Sequence, residues 1–115
     1  MTTTTTSWSV PIRLGIIALT IATAIVHLYL GFGGLPLFVL NGLGYLVLLA
    51  ALYLPVPRLT PYRNTVRWVL VGYTALTIVL WLLITGGASN ATGYIDKVVE
   101  VLLIALLLAE ARAGR

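Results

Sequence analysis

The chain has 115 residues, of which 60% are hydrophobic and 9% charged, against roughly 45–50% and about 25% in ordinary soluble domains. A soluble fold this small buries only about two-thirds of its unfolded surface, so it could not hide that much apolar area, and the mean hydropathy of +1.06 points the same way. The net charge of +4 comes from cations scattered between apolar runs, which excludes the basic stripe of a nucleic-acid binder. The absence of cysteine excludes disulfides, thiolate metal sites and thiol redox chemistry.

Residues 1–9 include the low-complexity run Thr2–Thr6 and are expected to form a flexible tail. Residues 10–115 are expected to form one membrane domain. A helical span needs about 20 mostly apolar residues, and four segments come close: 12–30, 36–54, 63–84 and 95–111. The first is too long for the apolar region of a cleaved signal peptide, about 7–15 residues. The bulky run Tyr29-Leu30-Gly31-Phe32 is also a poor cleavage site.

The breaks between segments have clear chemistry. Gly33-Gly34-Leu35-Pro36 stops one helix and starts the next, with Pro36 suited to a first turn. Pro55-Val56-Pro57 ends the second span, and Thr60-Pro61 reads as an N-cap followed by Pro at the first helical position. A small polar loop, 85–93, separates the third and fourth. The apolar runs are continuous rather than alternating, which selects helices over a barrel. The expected fold is therefore all-α, an antiparallel bundle of four transmembrane helices.

Arginine placement sets the expected orientation. Arg13, Arg58, Arg63, Arg67, Arg112 and Arg115 fall on one side of such a bundle, and Lys97 alone on the other. The positive-inside rule then places both termini in the cytoplasm of a cell that carries the protein in its plasma or inner membrane.

Polar residues recur at helical spacing. Thr20, Thr23 and His27 share one face of the first span; Asn41, Gly44, Tyr45 and Leu48 one face of the second; Thr74, Thr77, Trp81 and Thr85 one face of the third. On the fourth, Asp96, Glu100, Leu103, Leu107 and Glu110 align. Polar groups avoid lipid, so these faces should turn inward. His27, Asn41, Trp81, Asp96, Lys97 and Glu100 would then meet near the outer end as a small polar pocket with an aliphatic floor.

Each member also has a plainer role. Asp96 can favour a helix start electrostatically. Lys97 can snorkel to the headgroups or pair with Glu100 three residues on. Asn41 can bond between helices, and Trp81, Tyr29 and Tyr94 can belong to an interfacial belt. Glu110 is expected to neutralise arginines. His27 and Glu100 are harder to place, because ionisable residues within a span default to a functional role. Together they could relay a proton, hold a small polar ligand, or lock two helices.

Catalytic and nucleotide-binding motifs are absent, so an enzyme is not expected. His27, Asp96 and Glu100 have suitable metal donors but no diagnostic spacing, and no metal or other cofactor is expected. One histidine cannot supply two axial haem ligands in a single chain, which leaves a haem- or quinone-associated subunit as a remote alternative. The expected function is a structural or interaction subunit whose partners are the bilayer, a second copy or a larger membrane complex. A proton-coupled carrier using His27 and Glu100 is the runner-up. The length and span count suggest the small multidrug resistance exporters, but the first helix lacks their essential glutamate. The run His27-Leu28-Tyr29-Leu30-Gly31, Trp81 late in the third span, and Asp96-Lys97 opening the fourth resemble small four-helix membrane proteins of archaea and bacteria that have no assigned activity. That resemblance implies location and topology and no reaction.

Overall fold

A computed structural model describes the backbone of residues 2–34, 36–87 and 91–113, with side chains over 10–112 of that range. The described residues form four α-helices and one short 3₁₀ turn. They are α1 (Thr2–Phe32), α2 (Pro36–Tyr53), α3 (Arg63–Thr85) and α4 (Ala91–Ala113), with the 3₁₀ turn Thr60–Tyr62 leading into α3. No strand occurs among the described residues.

Why the helices stop where they do is visible in the backbone. Gly34 takes φ 118° and Gly86 takes φ 65°, values that a side chain disfavours. Gly86 is the left-handed C-cap of α3, its N–H donating to the carbonyl of Leu82 at 2.8 Å. At the end of α2, Arg63 Nε donates to the carbonyl of Leu52 at 2.8 Å, meeting an acceptor that the helix leaves without a partner.

The backbone of α1 is helical from Thr2. Two local expectations are corrected. Thr60 does not cap α3. Its hydroxyl donates backwards to the carbonyl of Val56 at 3.1 Å, and α3 follows from the 3₁₀ turn with Tyr62 at its N-cap. Helix α4 begins at Ala91, so Asp96 lies beyond the first turn, where the unpaired N–H groups that favour a carboxylate are no longer available.

Helix α1 packs on α2 and α4, and α3 packs on the same two, so the four helices close a ring. Residues late in α1 and α3 meet residues early in α2 and α4, which makes successive helices antiparallel. A fully buried aliphatic core holds the middle: Ile16, Ala24, Leu52, Leu70, Leu103 and Leu107, with the Tyr45 ring.

The distribution of polarity is inverted relative to a soluble fold. Thr20, Thr23, Thr74, Thr77, Asp96, Glu100 and Glu110 are buried, while Leu37, Leu83 and Ile84 are each more than 70% exposed. An apolar surface around a polar interior is stable only where the solvent is lipid. Three helical segments, Val10–Phe32, Pro36–Tyr53 and Thr60–Thr85, are long and apolar enough to cross a membrane. The protein is a helical membrane protein. Of the four expected spans, α4 does not qualify on composition, because its 23 residues carry Asp96, Lys97, Glu100, Glu110 and Arg112.

Candidate functional site

Helical spacing builds the site one turn at a time. Thr23 and His27 are four apart on α1, Asn41 and Tyr45 four apart on α2, Tyr73, Thr77 and Trp81 four apart on α3, and Asp96 and Glu100 four apart on α4. Such residues stack on one helix face, and the ring turns these four faces towards one another at the Gly34/Gly86 end of the bundle.

Glu100 is the centre of the polar network and is completely buried. One carboxylate oxygen accepts from Tyr45 Oη at 2.8 Å and from Thr23 Oγ1 at 3.0 Å. The other accepts from the ammonium of Lys97, three residues earlier on the same helix. Asp96 accepts from the same Thr23 hydroxyl at 2.7 Å, and its second oxygen lies 3.3 Å from Lys97 Nζ. A hydroxyl carries one proton, so two carboxylates on successive turns share a single donor from α1. Like charges at this spacing repel. Lys97, itself buried, sits against both and offsets that repulsion.

His27 stands at the edge of this network, its Nδ1 3.4 Å from the Thr23 hydroxyl oxygen. Its Nδ1 lies 2.8 Å from the carbonyl oxygen of Thr23. A carbonyl can only accept, so Nδ1 is the donor, and in the neutral ring Nε2 keeps a lone pair. The ring nitrogens are 3.8 Å from Asp96 Oδ2 and 4.0 Å from Glu100 Oε2, beyond hydrogen-bond distance in both cases. The His27 ring packs instead against Phe38 and Tyr45, with centroids 5.6 and 5.8 Å away.

Above the network lies a cavity of about 460 Å³, within the range usual for small-ligand sites, roughly 300–1,000 Å³. His27, Asn41, Trp81, Asp96 and Lys97 line it, so five of the six residues expected to form a pocket do border one. Glu100 does not border the cavity and lies among Tyr45, Thr23 and Lys97. Apolar side chains of all but α4, among them Leu30, Leu37 and Ile84, form much of the remaining wall.

Lys97 takes the second of its expected roles and pairs inward, with Nζ also 5.7 Å from the centre of the Trp81 ring. Trp81 lines the cavity and meets Tyr94 edge-on at 5.5 Å, whereas Tyr29 is exposed. At the other end of the bundle Glu110 accepts from Arg67 Nε at 2.8 Å and from Tyr53 Oη at 2.7 Å, as its expected pairing with an arginine requires. Glu100 and Glu110 thus each receive a tyrosine from α2, across the diagonal of the ring.

Tyr73 and Phe38 were not among the expected site residues. Tyr73 lies four residues before Thr77, a spacing that marks it for the same face. Its hydroxyl donates to the carbonyl of Asn41 at 2.7 Å, and it can lie there because residue 44 is glycine; a Cβ at that position would collide with the Tyr73 ring. Phe38 carries no polar signal that would separate it from the other apolar side chains of α2.

His27, Asp96 and Glu100 bring one donor atom each within 4.8 Å of one another, a spacing open to a metal ion. The ammonium of Lys97 already lies against both carboxylates, so a metal there would have to compete with a tethered cation. Comparisons with family models, with curated proteins and with solved structures find no match to this chain.

Proposed function

We propose that this protein is a four-span integral membrane bundle of the plasma or inner membrane, with both termini cytoplasmic, and that its polar cluster serves to fix the packing of its helices. It carries no catalytic machinery in this reading, and its role is that of a structural or interaction subunit. The observation that supports this best is the pairing of every acidic side chain in the chain: Asp96, Glu100 and Glu110 all lie on α4, are all buried, and are each held by a hydroxyl from another helix and by a cation. Unpaired charges in lipid are costly, so helix α4 enters the bilayer with its charged face covered. That supports a fourth span despite its composition.

Melting in detergent tests the proposal. Glu100→Gln removes the carboxylate on which three helices converge and lowers the midpoint of unfolding or the assembly state. His27→Ala has a smaller effect, since neither carboxylate bonds to the ring. Unchanged melting in both variants contradicts the proposal.

The cavity at His27 favours a second reading, a proton-coupled small-solute carrier that uses His27 and Glu100. Flux into proteoliposomes that is abolished by Glu100→Gln supports the carrier. Absence of flux, or flux that survives the substitution, removes it.

A further inference from the structure

One buried acceptor on a residue that lines the cavity, Asn41 Oδ1, has no donor within the protein. Asn41 Nδ2 lies 3.2 Å from Thr77 Oγ1. The Thr77 hydroxyl proton is engaged by the carbonyl of Tyr73 at 2.9 Å, so Thr77 can only accept from Asn41. That fixes the orientation of the amide and leaves Asn41 Oδ1 buried without a hydrogen-bond partner. An unmet buried acceptor is unfavourable and calls for a donor from outside the protein.

Charge adds a sign to that donor. Two acidic side chains, Asp96 and Glu100, face the single ammonium of Lys97, so carboxyl groups outnumber cationic side chains beside the cavity. Asp96 is the carboxylate that borders the cavity. Aromatic rings of Phe38, Tyr73 and Trp81 stand around the same space, and ring faces attract cations. Lys97 shows that the chemistry is compatible with an ammonium, since its Nζ lies at once near a carboxylate and over the Trp81 ring. Leu30, Leu37 and Ile84 complete a wall suited to a hydrocarbon group.

From this we infer that the cavity binds an organic ammonium ion with an apolar substituent, the N–H groups donating to Asn41 Oδ1 and to Asp96 and the apolar part lying against the aromatic and aliphatic wall. The inference concerns the cavity and does not depend on the network beneath it serving as a lock. Melting of the network variants and binding in the cavity can therefore fail separately.

The chain has three tryptophans, Trp8, Trp68 and Trp81. In a Trp8→Phe/Trp68→Phe background, the emission of Trp81 reports occupancy of the cavity. Purified protein is titrated with phenethylammonium, with its neutral counterpart 2-phenylethanol, and with the anion 3-phenylpropionate. The expected result is a saturable change with the amine, at least about tenfold weaker with the alcohol, and none with the anion. Asn41→Leu weakens the amine by about tenfold or more, the loss of one hydrogen bond to a charged group. Val26→Phe, which fills the cavity from α1 and leaves the acceptors in place, weakens it as well and stands in if Asn41→Leu does not fold. Equal binding of amine and alcohol overturns the charge argument. Failure of all three probes to saturate means that water alone meets Asn41 and overturns the site. Amine binding indifferent to both substitutions places the amine elsewhere and also overturns it.

Discussion

Lys97→Met is the substitution that presses hardest on the buried network. It keeps the unbranched stem but removes the cation that lies between Asp96 and Glu100. At 3.3 Å from Asp96, a unit charge contributes about 5 kcal/mol of attraction at an effective dielectric constant of about 20, before desolvation is counted. Breaking one side of a buried pair costs roughly 3–5 kcal/mol, because the other charge stays buried. Polar contacts in membranes often measure less, since a chain unfolded within lipid finds other partners. These limits together predict a loss of about 3 kcal/mol for Lys97→Met. Glu100→Gln alone leaves Lys97 facing Asp96 and costs less, about 1–2 kcal/mol. The double variant removes one charge of each sign, so its loss falls short of the sum of the singles by about 2 kcal/mol. Equilibrium unfolding in mixed detergent micelles, followed by circular dichroism, measures all three. Additivity within about 0.5 kcal/mol is what independent sites give, and that result refutes the coupled network.

Two buried threonines on one face of α1 should behave differently. Thr20 donates only to the carbonyl of Ile16 in its own helix, so Thr20→Val changes stability by less than about 0.5 kcal/mol. Thr23→Val strips two carboxylates of a shared donor and costs about 1–3 kcal/mol; thermal melts that fail to separate the two valine variants contradict the assignment. At the arginine end, Tyr53→Phe costs about 1 kcal/mol, because Arg67 still holds Glu110. Arg67→Met costs more, and the reverse order in the same melts argues against an ion pair at Glu110.

Periodicity made much of this arrangement legible. Polar residues three and four apart on each segment identify the inward faces, and Thr23, His27, Tyr45, Thr77, Asp96 and Glu100 are all buried. Helix ends were legible where glycine and proline break the pattern, as at Gly34 and Gly86. Where α4 starts was not. Residues 88–90 lie outside the described residues, and the helix begins ahead of its apolar run, which carries Asp96 and Lys97 deeper than a first turn. That shift turns Lys97 from a side chain able to reach the headgroups into the counter-ion of two carboxylates. Pairings between helices were also out of reach. Tyr45 meets Glu100, and Tyr53 meets Glu110, only because the ring fixes the rotation of each helix about its axis, and composition does not encode that rotation. The collision that a side chain at residue 44 would make with Tyr73 is equally a property of packing.

The account rests on α4 crossing the bilayer with its charges turned inward, and sidedness labelling of its two ends tests this most directly. The chain has no cysteine, so single substitutions give clean labels. With a membrane-impermeant maleimide on intact cells, Thr92→Cys and Gly33→Cys react from outside, while Arg58→Cys and Arg112→Cys react only after permeabilisation. Labelling of Thr92→Cys and Arg112→Cys from the same side would mean that α4 does not span, and would contradict the four-span bundle.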